Sequence, residues 1–81
     1  MEREYKVRCV PLAGAELSAM MRQLPSPISR PAMREIYNYR IETDGYYLVD
    51  RGIEPQVAAV ALKLFVDAAL SKAQTVEITH S

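Results

Sequence analysis

The chain has 81 residues, a formal net charge of zero, 49% hydrophobic and 25% charged residues, and one cysteine. This length supports a single apolar core, and the composition is that of a globular protein and excludes a disordered, fibrous or disulfide-stapled one. The lone cysteine excludes an intramolecular disulfide and a cysteine metal cluster, and the charge balance counts against a nucleic-acid binder that depends on phosphate contacts.

The first part of the chain predicts a strand and then a helix. Apolar and polar residues alternate over residues 3–10, as in a half-buried strand. Pro11 suits the first position of a helix, where a missing N–H is harmless. Apolar residues then recur at spacings of three and four, typical of an amphipathic helix, at Ala13, Leu17, Met20, Met21 and Leu24. Prolines within residues 25–32 end this helix and predict an extended loop.

The middle of the chain predicts a β-hairpin. Alternation returns from Met33, and the pair Asp44-Gly45 is favoured as the two-residue loop of a type I′ turn, where both central residues have positive φ. With that loop, Ile41 lies opposite Leu48 on one side of the sheet. Tyr39 lies opposite Asp50 on the same side.

The longest apolar periodic segment, residues 55–73, predicts a long helix. Glu54 is a candidate cap and Pro55 fits the first helical position. Its polar stripe is narrow and contains Lys63 and Asp67, which are four residues apart and able to form an ion pair. The rest of its circumference is apolar, so the helix needs cover on more than one side.

A short last strand follows the long helix. Val76 and Ile78 alternate there with polar residues, and His80 and Ser81 are expected to fray. The order strand, helix, strand, strand, helix, strand predicts a single α+β domain over residues 1–81. Its simplest arrangement is the ferredoxin-like βαββαβ plan, a four-stranded antiparallel sheet with two helices on one face.

The residue pattern predicts neither an export signal nor a membrane span. The N-terminal residues are not followed by an apolar run of roughly 7 to 15 residues, and Lys63 and Asp67 interrupt the longest apolar segment. We expect a cytoplasmic protein without a membrane partner.

The sequence contains no recognisable catalytic motif, and we expect a non-enzymatic protein with no cofactor and no metal. Cys9 falls on the predicted core side, where burial raises a thiol pKa and makes the sulfur less reactive. His80 stands alone, which gives a metal ion too few ligands. Asp50 is the one carboxylate on the predicted core side. Its side chain has two candidate roles, a catalytic one and that of a cap on the turn after its strand.

Two surfaces are candidate binding sites. One is the excess apolar surface of the long helix, predicted to contact a second copy of the chain or a larger protein that it regulates or inhibits; its residues are Val57, Leu62, Val66 and Leu70. The alternative is that this surface packs against the first helix. The other site is the open face of the sheet, a candidate surface for single-stranded nucleic acid. Its residues are Lys6, Arg8, Arg40, Tyr47 and Arg51.

Overall fold

The structure, a computed structural model, describes residues 2–30 and 32–80, so Met1, Pro31 and Ser81 lie outside the described part. The fold is mixed α+β, and its elements are β1 (Arg3–Arg8), α1 (Gly14–Gln23), β2 (Ile28–Ser29), β3 (Arg34–Glu35), β4 (Tyr37–Glu42), β5 (Gly45–Asp50), α2 (Pro55–Leu70) and β6 (Glu77–His80). Four strands form an antiparallel sheet in the order β4-β5-β1-β6. The short strands β2 and β3 form a separate hairpin.

Helix α2 packs on the sheet through a narrow stripe of mostly small residues. Its buried positions follow helical spacing and are Ala58, Ala61, Phe65, Ala68 and Ala69. The ring of Phe65 is fully buried and lies 5.5 Å from the ring of Tyr39 and 5.0 Å from that of Tyr46, measured between centroids. Because alanine adds so little bulk, this stripe allows the helix to approach the sheet closely.

The boundaries of α2 differ from the sequence prediction at one end only. The helix starts at Pro55 as predicted but ends at Leu70, three residues before the predicted Ala73. Lys63 and Asp67 form the predicted ion pair, with 2.8 Å between nitrogen and oxygen. Of the helices in the described residues, none combines the length and the apolar character needed to cross a membrane.

Helix α1 packs against α2. It begins at Gly14, whose φ is +58°, so the prediction that Pro11 opens the helix is wrong. At its start, the Leu12 N–H donates a 2.8 Å hydrogen bond to the Tyr46 hydroxyl. Beyond its end, the Tyr37 hydroxyl donates to the Pro25 carbonyl. These two bonds attach α1 to the β4 and β5 side of the sheet.

The hairpin between β4 and β5 has the predicted faces but a different register. Glu42 pairs with Gly45 and Ile41 with Tyr46, so the loop residues are Thr43 and Asp44. Among the described non-glycine residues only Met33 has a positive φ, so the predicted type I′ turn with Asp44 in that conformation is wrong. Since the register moves by two residues, every side chain stays on its predicted side of the sheet.

Gly45 accounts for this register. It pairs with Glu42 on one side and with Arg8 on the other. A Cβ atom at Gly45 would lie 1.9 Å from the carbonyl oxygen of Val7, and its φ is +147°. The glycine is therefore a strand residue that permits close approach of β1, which is a tertiary requirement and not a turn requirement.

Three shorter features depart from the sequence prediction. Strand β1 ends at Arg8, two residues before the predicted end. The loop predicted over residues 25–32 contains β2, which pairs with β3. His80 is not frayed but belongs to β6, where it pairs with Tyr5 and its ring lies 5.6 Å from the Tyr5 ring. The prediction for Ser81 falls outside the described residues.

The contact at Gly45 gives the first testable prediction. We expect Gly45→Ala to lower the free energy of unfolding by about 2 kcal/mol or more, because the added methyl group forces β5 away from the Val7 carbonyl. Urea unfolding followed by circular dichroism measures this change. A midpoint equal to that of the unmodified chain would contradict the close approach.

Candidate functional site

Apart from Phe65, the larger side chains of α2 are not the ones that the fold buries. Val60 is 52% exposed and Leu70 is 43% exposed. The remaining large aliphatic residues of the helix are only partly buried, and they are Val57, Leu62, Leu64 and Val66. The helix therefore keeps an apolar surface on both sides of its alanine stripe, as its sequence predicts.

The two sides of α2 have different neighbours. On one side, Leu64 and Ala68 line a groove whose opposite wall includes Glu16 and Met20 of α1. On the other side, Leu62 lines a pocket with β1 residues such as Tyr5. Val66 and Leu70 follow Leu62 on this second side at helical spacing. We refer to Leu62, Val66 and Leu70 as the free flank.

The four predicted contact residues do not share one surface. Leu62, Val66 and Leu70 lie together on the free flank, whereas helical spacing places Val57 on the side of Leu64. The hypothesis that α1 covers the excess apolar surface applies to the Leu64 side only. What α1 leaves uncovered is the free flank and also Val60, which is 52% exposed on the Leu64 side.

The helix-facing side of the sheet also carries an exposed apolar residue. Ile78 of β6 pairs with Val7, which is fully buried on the helix-facing side, yet Ile78 is 45% exposed. Helix α2 lies over β5 and β1, and β6 is one strand farther out, a spacing of about 4.8 Å. Every residue of β6 is exposed. Ile78 is therefore an uncovered apolar residue on the edge strand of the sheet, a position that sequence alone does not show because strand order is not encoded locally.

The open face of the sheet brings the five predicted residues together. Lys6 pairs with Tyr47, and Tyr47 pairs with Arg40 on the next strand. The Arg40 guanidinium lies over the Tyr47 ring, 4.5 Å from its centroid. Arg8 and Arg51 lie on the same face because they are even numbers of residues from Lys6 and Tyr47.

Carboxylates neutralise this face. Lys6 binds Asp44 at 2.6 Å and also contacts Glu42, and Arg40 reaches Glu42 at 3.4 Å. The same pattern holds for the other two cations: Arg8 binds Glu77 at 3.1 Å, and Arg51 binds Glu35 at 2.8 Å and Glu2 at 2.6 Å. A phosphate chain would have to displace these partners, so the face lacks the positive surface that phosphate binding requires.

The ion pairs shift the pKa values of their members. Hydrogen bonds to Asp44 and then Glu42 raise the pKa of the Lys6 ammonium. The hydrogen bond from Lys6 lowers the pKa of the Asp44 carboxyl. The Tyr47 hydroxyl donates to Glu4, which raises the pKa of Tyr47. All three shifts favour the charge states that hold the network together at neutral pH.

The surroundings of Cys9 and Asp50, the residues considered for catalysis, indicate structural roles. Partial burial raises the pKa of the Cys9 thiol, an effect that the nearby Lys6 charge opposes. The Asp50 carboxylate accepts a 2.8 Å hydrogen bond from the Gly52 N–H, so it caps the turn before α2. No cluster of three or more histidine, cysteine or acidic residues suited to a metal ion occurs within residues 2–30 and 32–80.

The Asp44 carboxylate gives a pH-dependent prediction. Because its pKa is lower in the folded chain than in the unfolded chain, its contribution to stability is present above the ordinary carboxyl value of about 4 and is lost as the pH falls through the folded value. We expect Asp44→Asn to lower the urea midpoint modestly at neutral pH, with the difference narrowing in acid. A difference that stays constant with pH would contradict the pairing with Lys6.

Comparisons with known proteins assign no role to these residues. No family model matches the chain, and neither a curated protein sequence nor a solved structure matches it. The functional assignment therefore depends on the two surfaces just described.

Proposed function

We propose that this chain is a small, non-enzymatic protein-interaction module that acts as a homodimer, with the free flank and the adjoining edge of the sheet covered by a second copy. One observation carries the proposal: the fold buries mainly alanines of α2, while Leu70 and Ile78 stay 43% and 45% exposed. Large apolar side chains left exposed are typical of an interface when a partner gathers them into one patch.

The free flank offers enough burial to matter for a chain of this size. Full burial of a leucine or isoleucine is worth roughly 1.5 to 3 kcal/mol, and domains are typically stable by only about 5 to 15 kcal/mol. A two-fold symmetric contact uses each residue twice, once from each subunit. Because Leu70 and Ile78 are already more than half buried, covering the four side chains of a dimer contributes about 3 to 5 kcal/mol in total, which matters for a domain of marginal stability.

A second copy is the occupant that the charge balance favours. The chain has ten basic and ten acidic residues and no net charge, so two copies approach without net repulsion. The other occupant, a larger protein that the module regulates or inhibits, would cover the same flank. It is the outcome to pursue if the chain proves monomeric.

We also infer that the domain follows the ferredoxin-like plan with both helices on one face. The strand order β4-β5-β1-β6 and the antiparallel pairing support this inference. The contacts of α2 with β5 and β1, and of α1 with α2, support the packing of both helices on the same side. In this plan the flank of α2 away from α1 lies nearest to β6.

Binding of single-stranded nucleic acid by the open face is the weaker alternative. The stacking of Arg40 on Tyr47 favours it, whereas the carboxylate contacts to all four predicted cations oppose it. A phosphate-driven complex must weaken steeply with added salt. Titration of a labelled oligonucleotide at low and high salt tests it, and we expect no salt-dependent binding.

The dimer is tested by one substitution on each side of α2. We expect Leu70→Asp, on the free flank, to raise the dimer dissociation constant by at least about tenfold, because it replaces a buried leucine with a charge. Val60→Asp is the matched control, since Val60 is similarly exposed but lies on the Leu64 side of the helix. Sedimentation equilibrium of the purified chain measures both.

Two results would contradict the proposal. A purified unmodified chain that remains monomeric up to high micromolar concentration would show that a second copy does not cover the flank. Equal weakening by Leu70→Asp and Val60→Asp would show that the contact does not depend on the free flank.

A further inference from the structure

Strand β6 is an open edge of the sheet. It is the last strand in the order β4-β5-β1-β6 and pairs with β1 on one side only. All four of its residues, Glu77–His80, are exposed. Among the hydrogen bonds of the described residues, none runs from a side chain to its backbone. Natural sheets usually protect an edge with a charge, a proline or a covering element. Strand β6 carries one charge, that of Glu77, which Arg8 binds within the same subunit, and an edge so lightly protected is a template for another strand.

The opposite edge of the sheet is protected. In β4 the side-chain oxygen of Asn38 accepts the N–H of Tyr39 at 2.8 Å, so that backbone donor is already occupied. Arg40 in the same strand is held over Tyr47. Addition of a strand at β4 would have to break the Asn38 contact first. The two edges are therefore unequal, and β6 is the one available for pairing.

We propose that β6 pairs antiparallel with β6 of a second copy, about a two-fold axis at Ile78, to give one continuous eight-stranded sheet. This proposal rests on the proposed homodimer and names the strand through which it forms. The same axis places the two Ile78 side chains next to each other on the helix-facing side of the sheet.

Strand geometry selects the register. Opposed residues in an antiparallel pair lie on the same side of the sheet. Ile78 or His80 of one copy can therefore oppose Ile78 or His80 of the other copy, and Glu77 or Thr79 can oppose Glu77 or Thr79. An axis at Glu77 would place two carboxylates directly opposite, which is unfavourable. An axis at Thr79 would place Ile78 opposite His80. The axis at Ile78 opposes isoleucine to isoleucine without opposing like charges, and it places Glu77 opposite Thr79 of the other copy.

This arrangement explains why the occupant is a copy of the same chain. The segment Glu77-Ile78-Thr79 is complementary to itself when it is reversed, with a charge facing a neutral hydroxyl and an isoleucine facing an isoleucine. Arg8 already binds Glu77 within its own subunit at 3.1 Å. The charge of Glu77 is thus partly compensated before the second strand arrives.

Two substitutions of opposite charge at Thr79 test the register of the proposed pairing between the two β6 strands. In the proposed dimer Thr79 faces Glu77 of the other copy, twice per dimer. We expect Thr79→Glu to raise the dissociation constant by roughly twofold to thirtyfold, because like charges then oppose each other at both positions. We expect Thr79→Lys to leave the constant unchanged or lower it.

The position of Lys6 allows these two variants to separate an effect on monomer stability from an effect on dimer affinity. Within one subunit Thr79 lies directly across from Lys6, so Thr79→Glu adds an attraction and Thr79→Lys adds a repulsion to the folded monomer. The effects on monomer stability and on dimer affinity therefore have opposite signs. Thermal unfolding of dilute protein measures the first, and sedimentation equilibrium measures the second.

A disulfide at the axis is an independent test. In a Cys9→Ala background, Ile78→Cys places two cysteines opposite each other at a Cα separation of about 4.5 to 5.5 Å, within the range that a disulfide spans. Oxidised glutathione is expected to convert this variant into a covalent dimer. Val60→Cys in the same background is the control and is expected to remain largely uncrosslinked.

The results separate this proposal from the proposed function. A dimer that Leu70→Asp weakens, but that responds equally to both Thr79 variants and crosslinks no faster at Ile78 than at Val60, would overturn strand pairing and leave the homodimer intact. A monomeric unmodified chain would overturn both. Weakening by Thr79→Glu alone, together with selective crosslinking at Ile78, would establish pairing through β6.

Discussion

The close contact between the alanine stripe of α2 and the sheet determines which surfaces this chain buries and which it exposes. Phe65 fits between the rings of Tyr39 and Tyr46, and small residues before and after it bring the helix near to the strands. The large side chains of the core therefore come mainly from the sheet, and α2 contributes one aromatic ring, that of Phe65. The branched residues of α2 lie at its sides, where α1 covers one side.

The proposed function depends on the free flank of α2 and on the edge strand β6, which lies one strand beyond those that α2 covers. Leu70 and Ile78 belong to the consecutive elements α2 and β6, and both stay exposed. The opposite face of the sheet has a different character. There Lys6 joins Glu42 and Asp44 across three strands, so its charges serve to hold the strands together rather than to attract an anionic partner.

The sequence predicts the order of the two helices and the four strands of the main sheet, the faces of those strands and the ion pair on α2, because each of these follows from local periodicity; it misses the short strands β2 and β3. It does not predict the hairpin register, because Gly45 is required by the approach of the Val7 carbonyl and not by the turn. Nor does periodicity identify which apolar side of α2 is buried. That choice depends on the volume of the facing residues, and here the alanines and Phe65 fit against the sheet tyrosines. To predict that Ile78 contributes to the candidate interface, one must also know the strand order.

The most direct test of the account is amide hydrogen exchange of the unmodified chain, measured at protein concentrations above and below the dimer dissociation constant. We expect the amides of Glu77–His80 to become more protected as the concentration rises, while those of β4 stay unchanged, because only β6 gains a partner strand. Exchange at Glu77–His80 that is the same at every concentration would contradict the claim that a second copy covers this edge.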